Sequence, residues 1–171
     1  MPRSIASAFV KTIVILLAGI GLVTSVQRIR AQNNAPLANP VIQHVGIVVR
    51  DINKTSRLFE DAFGIKIPPP TEFGPMTVPG NPPGTDTSRI TMVHFKIGDL
   101  GIELIEPLRG PGPHPEFLEK FGPGLQHIAL TVNDQQAAIN YLQGKGGKRT
   151  LRTYVEMKEQ FGFTFEVMER R

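Results

Sequence analysis

The stretch QHVGIVVRD, Gln43–Asp51, recurs later in the chain as QHIALTVND, Gln126–Asp134. Each copy reads as a β-strand that opens with a histidine and runs on to an aspartate able to cap a helix. Downstream of each copy lies a second strand-like segment with a glutamate inside an apolar run, at Ile102–Leu104 and at Phe165–Val167. The sequence therefore predicts one module, built around a histidine strand and a glutamate strand, that is present twice.

Alternation along the opening strands separates two faces. In both copies the histidine shares its face with small or modest residues, whereas the opposite face is branched and apolar. In the first copy the two faces are His44, Gly46 and Val48 against Val45, Ile47 and Val49. The apolar face is expected to pack on the helix of its module, which leaves the histidine face free to line a cup.

Two histidines and two glutamates at matching positions of a duplicated module predict a shared metal site. The predicted ligands are His44, Glu103, His127 and Glu166. A carboxylate inside an apolar strand is costly unless it is paired or binds a cation. Two imidazoles and two carboxylates suit a divalent ion of zinc, nickel, cobalt, manganese or iron, and they do not choose among these metals.

The net charge of +4 originates in the first 32 residues. These contain four basic residues, Arg3, Lys11, Arg28 and Arg30, and no acidic one, so the rest of the chain carries 15 basic and 15 acidic side chains. The folded part thus lacks the basic surface of a nucleic-acid-binding protein, and no nucleic acid partner is expected. The chain has no cysteine, so it contains neither a disulfide nor a cysteine for lipid attachment.

The basic residues flank an uncharged apolar run, Thr12–Val26, which is followed by a polar stretch. This order predicts a secretory signal peptide at residues 1–31, a linker at 32–40 and a folded domain at 41–171. The domain is then exported, to the periplasm or the extracellular space. The alternative is an uncleaved leader that anchors it to a membrane, although the run is short against the ~20 residues that span hydrocarbon.

Each module is predicted to contain a strand, a helix and three further strands. Module one covers about residues 41–106, with strands His44–Val49, Ile65–Ile67, Ile90–Ile97 and Leu100–Ile105 and a helix near Lys54–Phe63. Module two covers about 125–171, with strands His127–Val132, Lys148–Leu151, Tyr154–Met157 and Phe161–Met168 and a helix near Gln135–Gln143. Pro68–Thr87 and Pro107–Gly124 are predicted loops, the second with a helical turn at Pro115–Phe121.

Four other titratable residues are assigned no ligand role. His94 falls in mid-strand and is interpreted as a structural histidine, whereas His114 lies in a loop and is expected to be solvated. Glu106 and Glu169 each follow a predicted ligand by three residues, which puts them on the opposite strand face. Both are interpreted as surface or edge charges.

The paired modules resemble the vicinal oxygen chelate superfamily, of the glyoxalase, bleomycin resistance and dioxygenase type. The likeness covers Val41 to Glu169. Within the superfamily, the chain is similar in particular to methylmalonyl-CoA epimerases and lactoylglutathione lyases. The segments that carry it are HVGIVV (His44–Val49), FEDAFGI (Phe59–Ile65), GIELIEPL (Gly101–Leu108) and PEFLEKFGPGLQHIALTV (Pro115–Val132).

That resemblance implies an α+β fold in which two paired βαβββ modules form a cupped mixed sheet with a metal at its floor. It implies an isomerase, epimerase or lyase that removes a proton next to a carbonyl of a small substrate with vicinal oxygens. Glu166 and Glu103 are then the proton-transfer candidates. Epimerases of the family carry a further glutamate before the third strand, and the nearest acids here are Asp86 and Glu72.

Two other functions remain open, as does a homodimer. One is an iron(II) extradiol-type dioxygenase that uses His44 or His127 with Glu166, although four protein ligands leave few open positions on the metal. The other is a non-catalytic protein that sequesters a small molecule in the cup, although a pure binding protein has no use for four metal-binding side chains.

Replacing a predicted ligand should weaken metal binding. We expect His127→Ala and Glu166→Ala each to lower metal affinity tenfold or more, because loss of residues behind the ligands already costs ~10–100-fold. Glu106→Ala should leave metal affinity unchanged, because its side chain is on the other strand face. Competition with a metal-binding dye measures all three, and equal losses would contradict the assignment of strand faces.

Overall fold

The computed structural model describes residues 36–170, apart from 83 and 85, and in this part each half of the chain follows the predicted order of elements. The first half contains β1 (Val41–Val48), α1 (Ile52–Phe63), β2 (Thr71–Phe73), β3 (Arg89–Ile97) and β4 (Leu100–Arg109). Helix α2 (Pro113–Phe121) connects the halves. The second half contains β5 (Gly124–Val132), α3 (Gln135–Gly144), β6 (Lys148–Arg149), β7 (Tyr154–Met157), α4 (Lys158–Phe161) and β8 (Phe163–Glu169).

All eight strands form one curved, open sheet in the order β2-β3-β4-β1-β5-β8-β7-β6. The two histidine-bearing strands, β1 and β5, are antiparallel neighbours at its centre. Each is also paired in parallel with the glutamate-bearing strand of its own half, β4 or β8. This arrangement confirms the predicted α+β fold of two βαβββ modules around a cupped mixed sheet.

The leader predicted at residues 1–31 lies outside the described residues, so its cleavage or anchoring stays a prediction. In the part of the chain that the structure describes, no helix is long and apolar enough to cross a membrane.

The aspartates at the ends of the two copied stretches cap the helices that follow. Asp51 accepts a hydrogen bond from the backbone N–H of Lys54, and Asp134 accepts one from that of Ala137. These bonds satisfy amides that have no partner within the helix. Gly64 ends α1 with φ of 64°, a left-handed conformation that favours glycine. Helix α1 begins two residues before the predicted Lys54 and ends at Phe63 as predicted, whereas α3 begins at Gln135 as predicted and ends one residue after Gln143.

The two faces of β1 pack against different helices. Val45, Ile47 and Val49 join a buried cluster with Ile52 and Phe59 of α1, as the alternation predicts. The histidine face is open over only part of its length. Val48 on that face is fully buried with Ile90 and Ile105, against the α2 side chains Phe117 and Leu118. The connecting segment, predicted as a loop with one helical turn, is therefore a helix that closes one end of the cup.

The prediction of a strand at Ile65–Ile67 is wrong. Ile67 donates its backbone N–H to the Glu60 carboxylate at 2.9 Å and packs on the core beside α1, so this segment follows the helix instead of joining the sheet. The edge strand β2 forms at Thr71–Phe73, inside the predicted loop, where it pairs with β3. In the second half, the last strand begins two residues later than predicted because the short helix α4 precedes it.

Glu106 is on the face opposite Glu103, as predicted, but it is not a free surface charge. It is half-buried, and its Oε2 accepts a hydrogen bond of 2.9 Å from the backbone N–H of Ile52, the first residue of α1. A carboxylate at a helix N-terminus satisfies an orphan amide and interacts favourably with the helix dipole. Glu169, its counterpart in the second half, is exposed.

Glu106→Ala should therefore destabilise the fold without affecting the cup. Losing the acceptor for Ile52 N–H is expected to lower the free energy of unfolding by about 1 kcal/mol. Urea denaturation of Glu106→Ala measures this, with Glu169→Ala as the matched exposed control. Equal stability of the two variants would show that the contact contributes nothing.

Candidate metal centre

Four adjacent strands at the centre of the sheet each supply one predicted ligand. His44 lies on β1, Glu103 on β4, His127 on β5 and Glu166 on β8. The strand order β4-β1-β5-β8 places these four strands side by side. Their side chains all reach the concave face, so residues far apart in the chain meet at the floor of the cup.

The floor is close-packed at Gly46, which is paired with His127 across β1 and β5. A Cβ built at Gly46 would lie 1.8 Å from Cε1 of the His127 ring. The His127 ring has no exposed surface, so the atoms packed around it prevent it from moving away from an added methyl group. The missing side chain of Gly46 is thus what admits the imidazole to the site.

The four donor atoms converge on one region. One atom from each of the four residues lies within 4.8 Å of the other three. The two imidazole Nε2 atoms are 3.3 Å apart. Glu103 Oε2 lies 3.2 Å from His127 Nε2 and 3.7 Å from His44 Nε2. Glu166 Oε2 lies 3.1 Å from His44 Nε2 and 3.6 Å from His127 Nε2. Donors placed ~2.0 Å from a tetrahedral cation would be about 3.3 Å apart, which is close to these five separations that involve an imidazole nitrogen.

A glutamine fixes the orientation of each imidazole. The Nδ1 of His44 donates to Gln43 Oε1 at 2.6 Å, and the Nδ1 of His127 donates to Gln126 Oε1 at 2.7 Å. With the hydrogen on Nδ1, each Nε2 presents its lone pair to the centre, the tautomer that a metal ligand requires. The role of these glutamines is not predicted from strand alternation, although the Gln–His dipeptide is present in both copies.

The donor set fits a divalent metal ion. Both inward carboxylate oxygens, Oε2 of Glu103 and of Glu166, are buried and have no hydrogen-bond partner among the described residues. Together with two Nε2 lone pairs, they form a cluster of acceptors in which neither carboxylate oxygen has a donor among the described residues. Such a cluster is unfavourable in a buried setting unless a positive charge occupies its centre.

Glu103 is held in its charged form. Burial acts to raise the pKa of Glu103, but the neighbouring imidazoles of His127, His44 and His94 outweigh it, so the pKa is lower than usual. The side chain is therefore a carboxylate at neutral pH, the form that binds a cation.

His94 belongs to this site, whereas the sequence indicated an ordinary structural histidine. It lies directly opposite Glu103 in the β3–β4 register, and its Nε2 forms a short hydrogen bond with Glu103 Oε1. Its ring is 5.2 Å from that of His44, yet 53% of its side chain is exposed. Strand alternation puts His94 on the concave face, but the register that pairs it with Glu103 cannot be read from the sequence.

The prediction that His114 is solvated is wrong. The residue is 1% exposed, because the connecting segment folds as α2 and turns this side chain inward. Its ring packs edge-to-face on Tyr154, 5.5 Å between centroids. Burial, helped by His127, lowers the pKa of His114 to about 4, so the ring is neutral at neutral pH.

Tyr154 lies between the buried ring of His114 and the floor of the cup. Its hydroxyl is 3.4 Å from His127 Nε2. Burial, followed by the charges of Glu166 and Glu103, raises the pKa of Tyr154 well above its usual value. The hydroxyl therefore keeps its proton and remains a donor beside the ligand atoms.

A cavity of about 280 Å³ opens onto the two glutamates. Its wall is largely apolar, with Arg152 as the one cationic residue among the described residues that line it. The lining residues are Pro75, Met76, Thr77, Ile90, Met92, Glu103, Leu151, Arg152, Thr153, Tyr154 and Glu166. Glu166 is the more accessible carboxylate, with 16% of its side chain exposed against 5% for Glu103.

The two acids nearest the position of the epimerases' further glutamate do not line this cavity. Glu72 is paired with Arg89 at 3.1 Å on the outer edge of the sheet. Asp86 accepts hydrogen bonds from Val78 N–H and from the Asn81 amide, so it organises its own loop. The acidic residues that reach the cavity are Glu103 and Glu166.

The family of the chain follows from its match to the model of the Glyoxalase/Bleomycin resistance protein/Dioxygenase superfamily, which spans residues 43–165. The chain belongs to this superfamily. The match includes His44, Glu103 and His127 and ends one residue before Glu166. The resemblance inferred from the sequence is therefore confirmed.

Relatives within the superfamily include enzymes and proteins of unassigned activity. The chain is 27% identical over 141 residues to the uncharacterized protein YqjC of Bacillus subtilis (strain 168), covering 75% of this chain and 91% of that protein. It is 27% identical over 105 residues to the mitochondrial methylmalonyl-CoA epimerase of Mus musculus. That match covers 61% of this chain and 52% of the mouse protein, so it spans about half the length of this relative.

Solved structures of the superfamily show the same fold. A hypothetical protein from Bacillus halodurans C-125 superimposes with a TM-score of 0.56 at 22% identity, covering 78% of this chain and 96% of that one. The methylmalonyl-CoA epimerase of Mycobacterium tuberculosis superimposes with a TM-score of 0.52 at 22% identity, covering 76% and 87%. At these identities the likeness establishes the fold alone.

Gly46→Ala should damage the centre without altering any ligand. The added methyl group would collide with the His127 ring and force the imidazole or the strand to move. We expect metal affinity to fall by at least the ~10–100-fold seen when a ligand's support is lost. Isothermal titration with zinc measures this, with Gly144→Ala as the control, since a Cβ there meets nothing within 4 Å. Unchanged affinity in Gly46→Ala would show that the floor can relax.

Proposed function

We propose that this protein is a metal-dependent isomerase, epimerase or lyase that removes a proton from a carbon next to a carbonyl. The observation that carries the proposal is the convergence of two imidazole nitrogens and two unpartnered carboxylate oxygens within 4.8 Å, at the floor of a cavity. The epimerases among its relatives support the reaction class.

The residues that would hold the metal are His44, Glu103, His127 and Glu166. A divalent ion bound there acts as a Lewis acid that polarises the substrate carbonyl and so acidifies the neighbouring C–H. The protein's part is to hold two oxygens of the substrate beside a base and to keep water out. The apolar walls formed by Ile90, Met92 and Leu151 serve the second purpose.

Glu166 is the residue best placed to move the proton. It lines the cavity, it is more exposed than Glu103, and its outer oxygen is held by only one long contact, 3.4 Å from Thr153 Oγ1. A catalytic base must approach the substrate carbon to take up the proton and to give it back. A carboxylate with few hydrogen bonds can make this movement. Glu103 is buried and firmly bonded, so it serves as a fixed ligand.

The cavity suits a small acyl group. Its volume of about 280 Å³ lies at the low end of the ~300–1,000 Å³ typical of ligand pockets. A short acid with vicinal oxygens fits inside, and any longer carrier must extend past the mouth, near Arg152. One relative was solved with methylmalonyl-CoA bound, and a thioester of this kind is the first substrate to try.

The predicted export of the domain suggests a second class of candidate substrates. We propose from the leader that the domain acts outside the cytoplasm, where small acids free of a coenzyme carrier are the more accessible substrates. Detection of the full chain, and of its N-terminal residue, in secreted and membrane fractions tests this part. A cytoplasmic protein with Met1 intact would refute it.

The reaction is tested by exchange of substrate C–H for deuterium. The full chain, loaded with each candidate metal in turn, is incubated in D₂O with methylmalonyl-CoA and with short 2-substituted keto acids. Metal-dependent deuterium at the carbon next to the carbonyl, followed by NMR, is the expected result. Glu166→Gln, measured at saturating metal, should lose ~10²–10⁴-fold in exchange rate because its base is gone.

Glu169→Gln is the matched control, since this glutamate is on the same strand but exposed. Full exchange by Glu166→Gln would contradict its assignment as the base. Metal binding with no exchange of any substrate would favour a sequestering protein. Dioxygen uptake with catechols by the iron(II) form would favour the dioxygenase.

A further inference from the structure

His94 contacts the centre through a hydrogen bond to Glu103, and its ring lies 5.2 Å from that of His44. The two residues face each other across β3 and β4, both on the concave side of the sheet. The Nε2–H of His94 donates to Glu103 Oε1, whereas the other oxygen, Oε2, points to the two imidazole nitrogens at 3.2 and 3.7 Å. One oxygen of the Glu103 carboxylate thus accepts a hydrogen bond from His94, while the other oxygen faces the two metal-binding imidazoles.

Among the described residues of the second half, no contact corresponds to this one. The residue opposite Glu166 in the β7–β8 register is Tyr154, and its hydroxyl approaches His127 instead of Glu166. The outer oxygen of Glu166 receives only the long contact from the Thr153 hydroxyl, 3.4 Å. Two carboxylates in otherwise matching positions are therefore held very differently, one by an imidazole and one by a distant hydroxyl.

His94 also lies apart from the substrate cavity. It lines a different cavity of about 510 Å³, together with Val41, Lys96 and the predicted ligand His44, and that cavity shares no lining residue with the one that contains Glu103 and Glu166. In the proposed function the substrate occupies the cavity of the two glutamates, so His94 lies outside the substrate site. Any effect of its replacement on the centre must pass through Glu103 or through the neighbouring ring of His44.

We propose that His94 is the positioning residue of the metal centre, which locks Glu103 as a static ligand and leaves Glu166 as the carboxylate that is free to move. The inference rests on the proposed function, because it assumes that the four-residue cluster binds a metal. Its physical basis is that an N–H donor behind a ligating carboxylate fixes the direction of the inner oxygen and raises affinity for the ion. An apolar residue at this position would leave Glu103 free to rotate away from the centre.

Metal affinity, measured on the full chain by chelator competition, tests the proposal without relying on activity. His94→Leu should lose ~10–100-fold in affinity, as expected when the hydrogen-bond partner of a ligand is removed. His94→Gln should retain most of the affinity, because its amide N–H can still donate to Glu103 Oε1. A merely structural role would not be rescued in this way.

Lys96→Leu is the matched control, since Lys96 is exposed, lies two residues further along β3 and faces the same side. It should bind metal as the unmodified chain does. The melting temperature of the metal-free protein should be alike in all four proteins, while the rise on adding metal should shrink in His94→Leu alone.

The outcomes separate the two proposals. If the unmodified chain binds metal and His94→Leu stays within about threefold of it, far below the loss expected for a ligand's partner, the positioning role is refuted and the metal centre stands. An equal loss in Lys96→Leu, or no rescue by glutamine, refutes it as well. If the unmodified chain binds no divalent metal, the proposed function falls and the inference falls with it.

Discussion

The structure depends on one electrostatic constraint, the gathering of four lone-pair donors within 4.8 Å at the floor of a curved sheet. Two are carboxylate oxygens without a hydrogen-bond donor and two are imidazole nitrogens turned inward by glutamines. Alone, these atoms repel one another, and burial makes the repulsion stronger. Backbone pairing of β4, β1, β5 and β8 holds them together, and a divalent cation bound at their centre would convert the repulsion into binding.

The two halves of the domain share a topology but differ in chemistry. In the first half, Glu103 is buried and fastened by His94. In the second half, Glu166 is partly exposed, lines the cavity and has only a weak contact from Thr153. A symmetric fold therefore provides an asymmetric site, with one carboxylate suited to holding an ion and the other to meeting a substrate. The proposed proton transfer would use this difference, because a ligand must stay in place while a base must move.

The segment between the halves shapes the cup. Helix α2 packs Phe117 and Leu118 over the histidine face of β1 and buries His114 against Tyr154. The loop that holds Met76 and Thr77 borders the cavity on another side. The floor of the cup is thereby enclosed by α2 and by the loop between β2 and β3, and variation in such enclosing segments is how one fold can serve different substrates.

The sequence by itself determined the fold class, most helix and strand positions and the four residues of the cluster. These depend on local periodicity, on capping aspartates and on the matching of two stretches, all of which are visible along the chain. Only the tertiary structure decided the partnership of His94 with Glu103, the helix cap formed by Glu106 and the burial of His114. Each of these depends on strand register or on how a connecting helix packs, and contacts between distant segments leave no periodic trace in the residues that make them.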